Sequence, residues 1–147
     1  MDSCRAIALT VASVTTDTAI GPFVIPSNAQ NMIMNSFAQR QNKKIEIVIP
    51  EPILSDELLT TQWLHQEFQF TALFLTSIHQ LPRNQQSLKV LCDNMSDTEF
   101  FFAIEGERGI GEKFLCSCAM ERDIFSNAEV ISQTSADWLF FYRSSKA

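Results

Sequence analysis

The sequence predicts one α/β domain, in which strands and helices alternate around a mostly parallel sheet of four to five strands. Short apolar runs alternate with amphipathic segments, in the order βαβαβαβα with one more β as a candidate. The first run is continuously apolar and β-branched, which is typical of a strand covered on both faces. The chain has 147 residues, 46% of them hydrophobic and 19% charged, which suits a single folded domain spanning 1–147. We therefore expect a three-layer fold with right-handed crossovers and helices on both faces of the sheet.

The four strands are predicted from runs rich in β-branched and aromatic residues. They cover residues 5–13, 44–49, 70–77 and 99–104, with 138–142 as a candidate last strand. Pro50 and Pro52 stop the second strand, and the third has the strongest strand pattern in the chain. The connections are short, and we find no repeat or linker that would indicate a second domain.

The helices are predicted from apolar spacing and from residues that cap helix ends. Ser27 is expected to cap a helix over 28–41, and Ser55 a second helix whose buried edge holds Leu59 and Trp63. Asn84 opens a third helix with full i, i+3, i+4, i+7 apolar spacing. A fourth helix is expected over about 112–125.

Charge and hydropathy exclude two classes of partner. The net charge is −6, and basic residues stand singly except for Lys43 and Lys44, so we expect no nucleic-acid binding. The apolar run at 6–14 could imitate a signal core, but Thr10 and Ser13 break it and it is expected to be the first strand. The run at 68–78 is much shorter than the ~20 residues of a membrane helix, so no membrane insertion is expected.

The cysteines indicate a reducing compartment. The chain is not small and loop-rich, so we expect Cys4, Cys92, Cys116 and Cys118 to be thiols of a cytoplasmic protein. The Cys-x-Cys pair at 116–118 has no partner motif, so neither a metal site nor a cofactor is expected.

Polar residues follow the predicted strands, where open α/β sheets bind ligands. Beyond the third strand, His79 and Arg83 could bind an anion, or His79 could form an acid–base pair with Glu105. The plainer alternative is a histidine packed on its own turn and an arginine at the start of a helix. Glu51 follows the second strand, and the glycine-containing stretch 105–111 is expected to be a plain turn.

One resemblance is to the catalytic domain of serine recombinases, the resolvases. The stretch 71–95 followed by 99–107 resembles that family's third strand, its Asp-Arg-Leu-Gly-Arg loop, the next helix and a strand ending in glutamate. Arg83 aligns with the second arginine of the loop and Glu105 with the glutamate, while His79 and Gln80 replace the loop's Asp and first Arg. The resemblance implies a resolvase-like, or more broadly flavodoxin-like, topology.

The family's nucleophile pattern is changed in this chain. Ala12-Ser13-Val14-Thr15 stands in place of Arg-Val-Ser-Thr, which removes the arginine and leaves Ser13 and Thr15 as offset candidates for the serine. DNA strand transfer needs that nucleophile with several arginines around the scissile phosphate. We therefore do not expect recombination.

A second resemblance is to the "sporadic carbohydrate cluster" proteins of bacterial surface-polysaccharide biosynthesis. It is carried by the Ile-Pro-Ser-Asn-Ala-Gln-Asn stretch at 25–31, by Glu51, by the segment 74–82 and by Glu105. It implies an accessory protein that binds a sugar, a nucleotide-sugar or a partner enzyme of the glycan pathway. The implied ligand-binding residues are Asn31, Glu51, His79, Arg83 and Glu105.

Two alternatives stay open at this point. One is a small enzyme acting on an activated sugar, with His79 and Glu105 as its acid and base. The other is an oligomerising interaction module, which would account for the 12 phenylalanines if one helix face formed a homo-oligomer contact.

Overall fold

The computed structural model describes residues 10–16, 19–51 and 57–124. The seven strands of this part are β1 Val11–Thr15, β2 Ala19–Ile20, β3 Phe23–Val24, β4 Ile47–Pro50, β5 Ala72–Leu75, β6 Glu99–Phe102 and β7 Glu107–Ile110. The helices are α1 Ser27–Arg40, α2 Leu59–Phe68, α3 Gln85–Asn94 and α4 at 112–124, with a 3-10 turn at Ile78–Gln80.

Five of the strands form one mixed sheet in the order β4-β1-β5-β6-β7. The first four are mutually parallel, and β7 returns antiparallel to β6. Ser13 at the centre of β1 lies between Val48 of β4 and Phe74 of β5. The predicted α/β class with a mostly parallel sheet is confirmed.

Side chains alternate between the two faces along each strand, so each face of the sheet presents apolar residues. Helices cover both faces. One core lies under α2, α3 and α4, and its sheet residues include Val14, Leu73 and Phe100. The other lies under α1, where the rings of Phe74 and Phe101 stack with centroids 4.3 Å apart. These two cores give the three layers that the alternating pattern predicts.

The helix starts agree with the sequence in one case and differ in another. Asn84 caps α3 as predicted, since its side-chain oxygen accepts from the amides of Gln86 and Ser87 at 2.8 and 3.3 Å. The prediction that Ser27 caps α1 is wrong. Ser27 is the first helical residue, Pro26 holds the cap position, and no side chain caps this end.

The predicted buried edge of α2 is also wrong. Leu59 and Trp63 are 56% and 61% exposed, whereas Thr61 and Gln62 are buried. Hydrogen bonds explain this orientation of α2. Glu51 accepts from the amide and the hydroxyl of Thr61, which turns that face of the helix toward the sheet. Ser55, the predicted cap, and the candidate strand at 138–142 lie outside the described residues.

Four short elements were not predicted. The strands β2 and β3 have two residues each and form a separate hairpin, and the 3-10 turn has three residues. The stretch 105–111, predicted as a plain turn, contains β7. Elements this short do not establish a periodic pattern.

Among the helices of residues 10–16, 19–51 and 57–124, none has both the length and the apolar character required to cross a bilayer.

Candidate functional site

The carboxyl edge of the sheet, where β1 and β5 end, carries an uncharged hydrogen-bond network. The side-chain oxygen of Gln30 accepts from the amide of Thr16 at 3.0 Å, and its nitrogen donates to the Thr16 carbonyl at 3.1 Å. Gln80 accepts from the amide of Thr76 at 2.6 Å and donates to the Thr16 hydroxyl at 3.2 Å. Two glutamines from different elements thus fix the ends of β1 and β5.

Glu105 lies beside this network, and its contacts are structural. One carboxylate oxygen accepts from the hydroxyl of Ser77 at 2.7 Å, and the other from the amide of Ile78 at 2.9 Å. The Ser77 hydroxyl in turn accepts from the amide of His79 at 3.2 Å. Glu105 therefore holds the first residues of the 3-10 turn that carries His79.

Glu51 follows β4 and holds the next helix in the same way. Its Oε1 accepts from the amide and the hydroxyl of Thr61 at 2.6 and 2.7 Å, while its own amide donates to the carbonyl of Thr15. Its Oε2 is buried without a hydrogen-bond partner in the structure.

His79 is buried against the β2–β3 hairpin and is 9% exposed. The ring of Phe23 meets it edge-on with centroids 5.7 Å apart. Gly21 lies so close that an added Cβ would be 2.5 Å from the Cγ of His79. His79 therefore packs against the β2–β3 hairpin as well as lying in its own turn.

Asn31 lies on α1, one residue beyond the bridging Gln30. Its side-chain oxygen is buried without a hydrogen-bond partner in the structure. Its backbone carbonyl accepts from the side chain of Asn35 at 2.8 Å.

Arg83 lies on a cleft of ≈ 390 Å³ between α3 and α4. The described residues lining this cleft are Pro82, Arg83, Gln85, Leu88, Lys89, Glu112, Cys116, Ala119, Met120, Arg122 and Asp123. None of the other four predicted ligand-binding residues lines this cleft, so Arg83 lies on a different part of the surface from them.

The cleft carries more positive than negative charge. Its three cations, Arg83, Lys89 and Arg122, outnumber the carboxylates of Glu112 and Asp123, which gives a local charge of 3 − 2 = +1 in a chain of net charge −6. Lys89 is 3.8 Å from a carboxylate oxygen of Glu112. Arg83 is exposed and makes neither an ion pair nor a hydrogen bond within the described part of the chain.

Arg122 builds one wall of the cleft. It is 4% exposed, and one guanidinium nitrogen donates to the carbonyls of Leu81 and Pro82 at 2.7 and 3.3 Å. Its Nε donates to Asp123 at 3.1 Å. This buried guanidinium attaches α4 to the segment that leads from the 3-10 turn to Arg83.

The thiols of this region differ in access. Cys116 is half-buried and lines the cleft. Burial raises the pKa of Cys92 to about 11 and that of Cys118 to about 12. Among the described residues, no group of three histidine, cysteine or acidic side chains is placed to hold a metal ion.

Sequence reasoning did not single out Lys89 or Arg122, although both lie on helices that it predicted. In the sequence, Lys89 resembles any solvent-exposed charge on a helix. Arg122 lines the cleft only because α4 packs against the loop at 81–82. The signal that pointed to this surface was Arg83, through its place after the third strand.

Comparisons with known proteins bear on the fold. No protein-family model matches the chain, and no curated protein matches it. The N-terminal catalytic domain of TP901-1 integrase superposes with a TM-score of 0.57 at 16% identity, covering 82% of this chain and 98% of that one. The chain has a resolvase-like fold. A resolvase family site-specific recombinase from Streptococcus pneumoniae agrees, with a TM-score of 0.52 at 14% identity, covering 92% of this chain and 99% of that one.

The predicted resolvase-like topology is thus confirmed. At 14% and 16% identity these likenesses show the fold alone. Function on a shared fold has to be argued from the residues of the site.

Proposed function

We propose that this resolvase-like domain is a non-recombinase accessory protein of bacterial surface-polysaccharide biosynthesis, which binds an anionic sugar derivative in the α3–α4 cleft. The ligand class is a sugar phosphate or a nucleotide-sugar. The observation that carries the proposal is Arg83, an exposed guanidinium without a partner in the described residues, on a cleft of ≈ 390 Å³. The carbohydrate context comes from the sequence resemblance at 25–31, 51, 74–82 and 105.

The arginines of the described chain support a role other than DNA strand transfer. Arg108 is bound to Glu99 through two nitrogens, each 3.0 Å from a carboxylate oxygen, and Arg122 is buried against backbone carbonyls. The scissile phosphate of a strand-transfer reaction needs several arginines that are free to contact it. With these two engaged, the described arginines that remain are Arg83 and Arg40, the last residue of α1, which is a small number for that role.

The size and lining of the cleft suit a small ligand with one charged end. Ligand pockets generally enclose about 300 to 1,000 Å³ and combine apolar walls with a few polar groups. Here Leu88, Ala119 and Met120 offer apolar surface, and Arg83 offers a planar fork of donors that matches phosphate oxygens. Arg122 stiffens the wall that carries Arg83, which lowers the entropy lost on binding.

A thermal-shift series tests the proposal. Glucose 1-phosphate and uridine diphosphate glucose should raise the melting temperature, and a ligand at ~100 times its dissociation constant should add about 2.7 kcal/mol of stability. Arg83→Gln should weaken binding by ~10-fold or more, because a hydrogen bond to a charged group contributes about 1.5 to 3 kcal/mol. Lys44→Gln is the control, since it removes the same charge from an exposed loop residue. Equal shifts in Arg83→Gln and Lys44→Gln would contradict the proposal.

An interaction module is the second candidate, and one observation favours it. Leu59 and Trp63, one turn apart on α2, are largely exposed, and Val90 of α3 is 45% exposed. Exposed apolar groups of this kind occur at protein–protein contacts. If the chain self-associates through them, Trp63→Glu will abolish the concentration-dependent species in sedimentation velocity.

The remaining alternative, an enzyme with His79 and Glu105 as acid and base, has less support. Both oxygens of Glu105 already accept hydrogen bonds from the 3-10 turn, and His79 lies behind the hairpin. Such an enzyme would need both groups to be released before it could act.

A further inference from the structure

We propose that the β2–β3 hairpin is a lid over a second, strand-end site, which takes an uncharged, hydroxyl-bearing group beside His79. This inference goes beyond the α3–α4 cleft and does not require that cleft to bind a ligand. It rests on how the hairpin is attached, on its contact with His79 and on the side chains next to that contact.

The hairpin is attached lightly to the rest of the domain. Its strands Ala19–Ile20 and Phe23–Val24 pair with each other and not with the five-stranded sheet. Ile20 is buried and anchors it, whereas Val24 is 81% exposed. A unit with few buried contacts and no ladder to the main sheet opens at a lower free energy than the core.

The contact between the hairpin and His79 requires glycine. Gly21 has φ +56°, in the left-handed region, and a Cβ there would lie 2.5 Å from Cγ and 2.6 Å from Nδ1 of His79. Phe23 completes the cover by meeting the imidazole edge-on. Closure of the hairpin over His79 therefore depends on Gly21 for its backbone conformation and for its lack of a side chain.

The groups next to this contact are uncharged hydrogen-bonding groups. Gln80, the residue after His79, joins Thr16 to Thr76 through its side-chain amide. The Thr76 hydroxyl is fully buried and has no hydrogen-bond partner among the described residues. Glu105, the carboxylate at this turn, already accepts one hydrogen bond on each oxygen, from the Ser77 hydroxyl and the Ile78 amide. Hydroxyl and amide groups can form hydrogen bonds with the hydroxyl groups of a ligand without the cost of desolvating a charge. The ligand that suits this site is therefore a neutral sugar or another polyol.

Native-state hydrogen exchange of the full chain tests the lid. The amides of 19–21, 23 and 24 should exchange through a local opening, with a smaller free energy of opening and a smaller denaturant slope than those of β5 and β6. In Gly21→Ala the local opening should be ~10-fold or more frequent, because left-handed backbone costs a non-glycine residue about 1 to 2 kcal/mol before the clash is counted. The melting temperature should fall as well, because strain in the closed state lowers the free energy of global unfolding by the same amount, so the test is the local opening of the hairpin.

Gly106→Ala is the matched control. Gly106 has φ +68°, but a Cβ there would meet nothing within 4 Å, and it lies in the turn that joins β6 to β7 of the main sheet. Its substitution imposes the same backbone strain without the clash, and it should lower the melting temperature. If the hairpin amides exchange only by global unfolding, or if Gly106→Ala increases the local opening of the hairpin as much as Gly21→Ala does, the lid is refuted.

The ligand is tested separately with glucose and glycerol as uncharged probes. Either probe should slow the exchange of the amides at 77–80, and it should slow the acylation of His79 by diethyl pyrocarbonate while leaving His65 unaffected. Absence of protection by both probes overturns the strand-end site. These results are independent of Arg83→Gln, which reports only on anionic ligands in the α3–α4 cleft.

Discussion

Replacing Glu105 by Gln separates a structural carboxylate from a catalytic one. The glutamine oxygen can still accept from the amide of Ile78, but its NH₂ group then faces the Ser77 hydroxyl, which now donates to the carboxylate at 2.7 Å. Ser77 must rotate its proton away, and one charge-assisted bond is lost. Hydrogen bonds to charged groups contribute about 1.5 to 3 kcal/mol, and the half-exposed position of Glu105 places the expected loss near the lower end.

Urea unfolding measures this loss directly. With a slope of about 1 to 3 kcal/mol/M, a loss of ~1.5 kcal/mol should lower the midpoint by roughly 0.5 to 1.5 M at an unchanged slope. Glu46→Gln is the control, because Glu46 is exposed, its side chain forms no hydrogen bond or ion pair within the described residues, and the change removes the same charge. If the two variants unfold at the same midpoint, the Glu105 carboxylate does not hold the 3-10 turn. It would then be available for chemistry, and the acid–base interpretation with His79 would regain its support.

Three further outcomes are expected. Phe74→Ala should lower the free energy of unfolding by about 3 to 5 kcal/mol, because it removes a fully buried ring that stacks at 4.3 Å on its neighbour in β6, and a calorimetric change under 1 kcal/mol would contradict the packing. Iodoacetamide should alkylate Cys116 before Cys118, and a ligand in the cleft should slow the alkylation of Cys116, which peptide mapping by mass spectrometry measures. Partial desolvation and the neighbouring carboxylate of Glu107 raise the pKa of Glu121, although the residue is exposed. Ionised Glu121 therefore slightly destabilises the folded chain at neutral pH, and this cost disappears as the pH falls through the raised folded-state pKa. Glu121→Gln should therefore be more stable than the wild type at neutral pH, and denaturation curves that show no narrowing of this gap toward acid pH would contradict the assignment.

The long elements could be predicted from the sequence because each buries a continuous or periodic apolar pattern. The third strand was expected over 70–77 and occupies Ala72–Leu75, and Asn84 starts α3 as its side-chain chemistry indicates. The orientation of α2 could not be predicted from its apolar residues. The hydrogen bonds from Thr61 to Glu51 outweigh the burial of Leu59 and Trp63.

The candidate site was predicted in part, for a related reason. The carboxyl edge of the sheet was the expected place, and the residues found there are polar. A sequence does not show, however, that Glu105 and Glu51 engage backbone amides, because those contacts join positions 27 and 10 residues apart. The β2–β3 hairpin was missed as well, since its two-residue strands depend on Gly21 against His79 rather than on an apolar pattern.

Binding of an anionic sugar derivative in the α3–α4 cleft is tested most directly by backbone amide chemical shifts measured during a titration. Uridine diphosphate glucose added to the labelled full chain should shift the amides of 83–89 and 112–123, which line the cleft, and Arg83→Gln should remove most of that change. Shifts confined to other parts of the chain, or none at saturating concentration, would contradict the account.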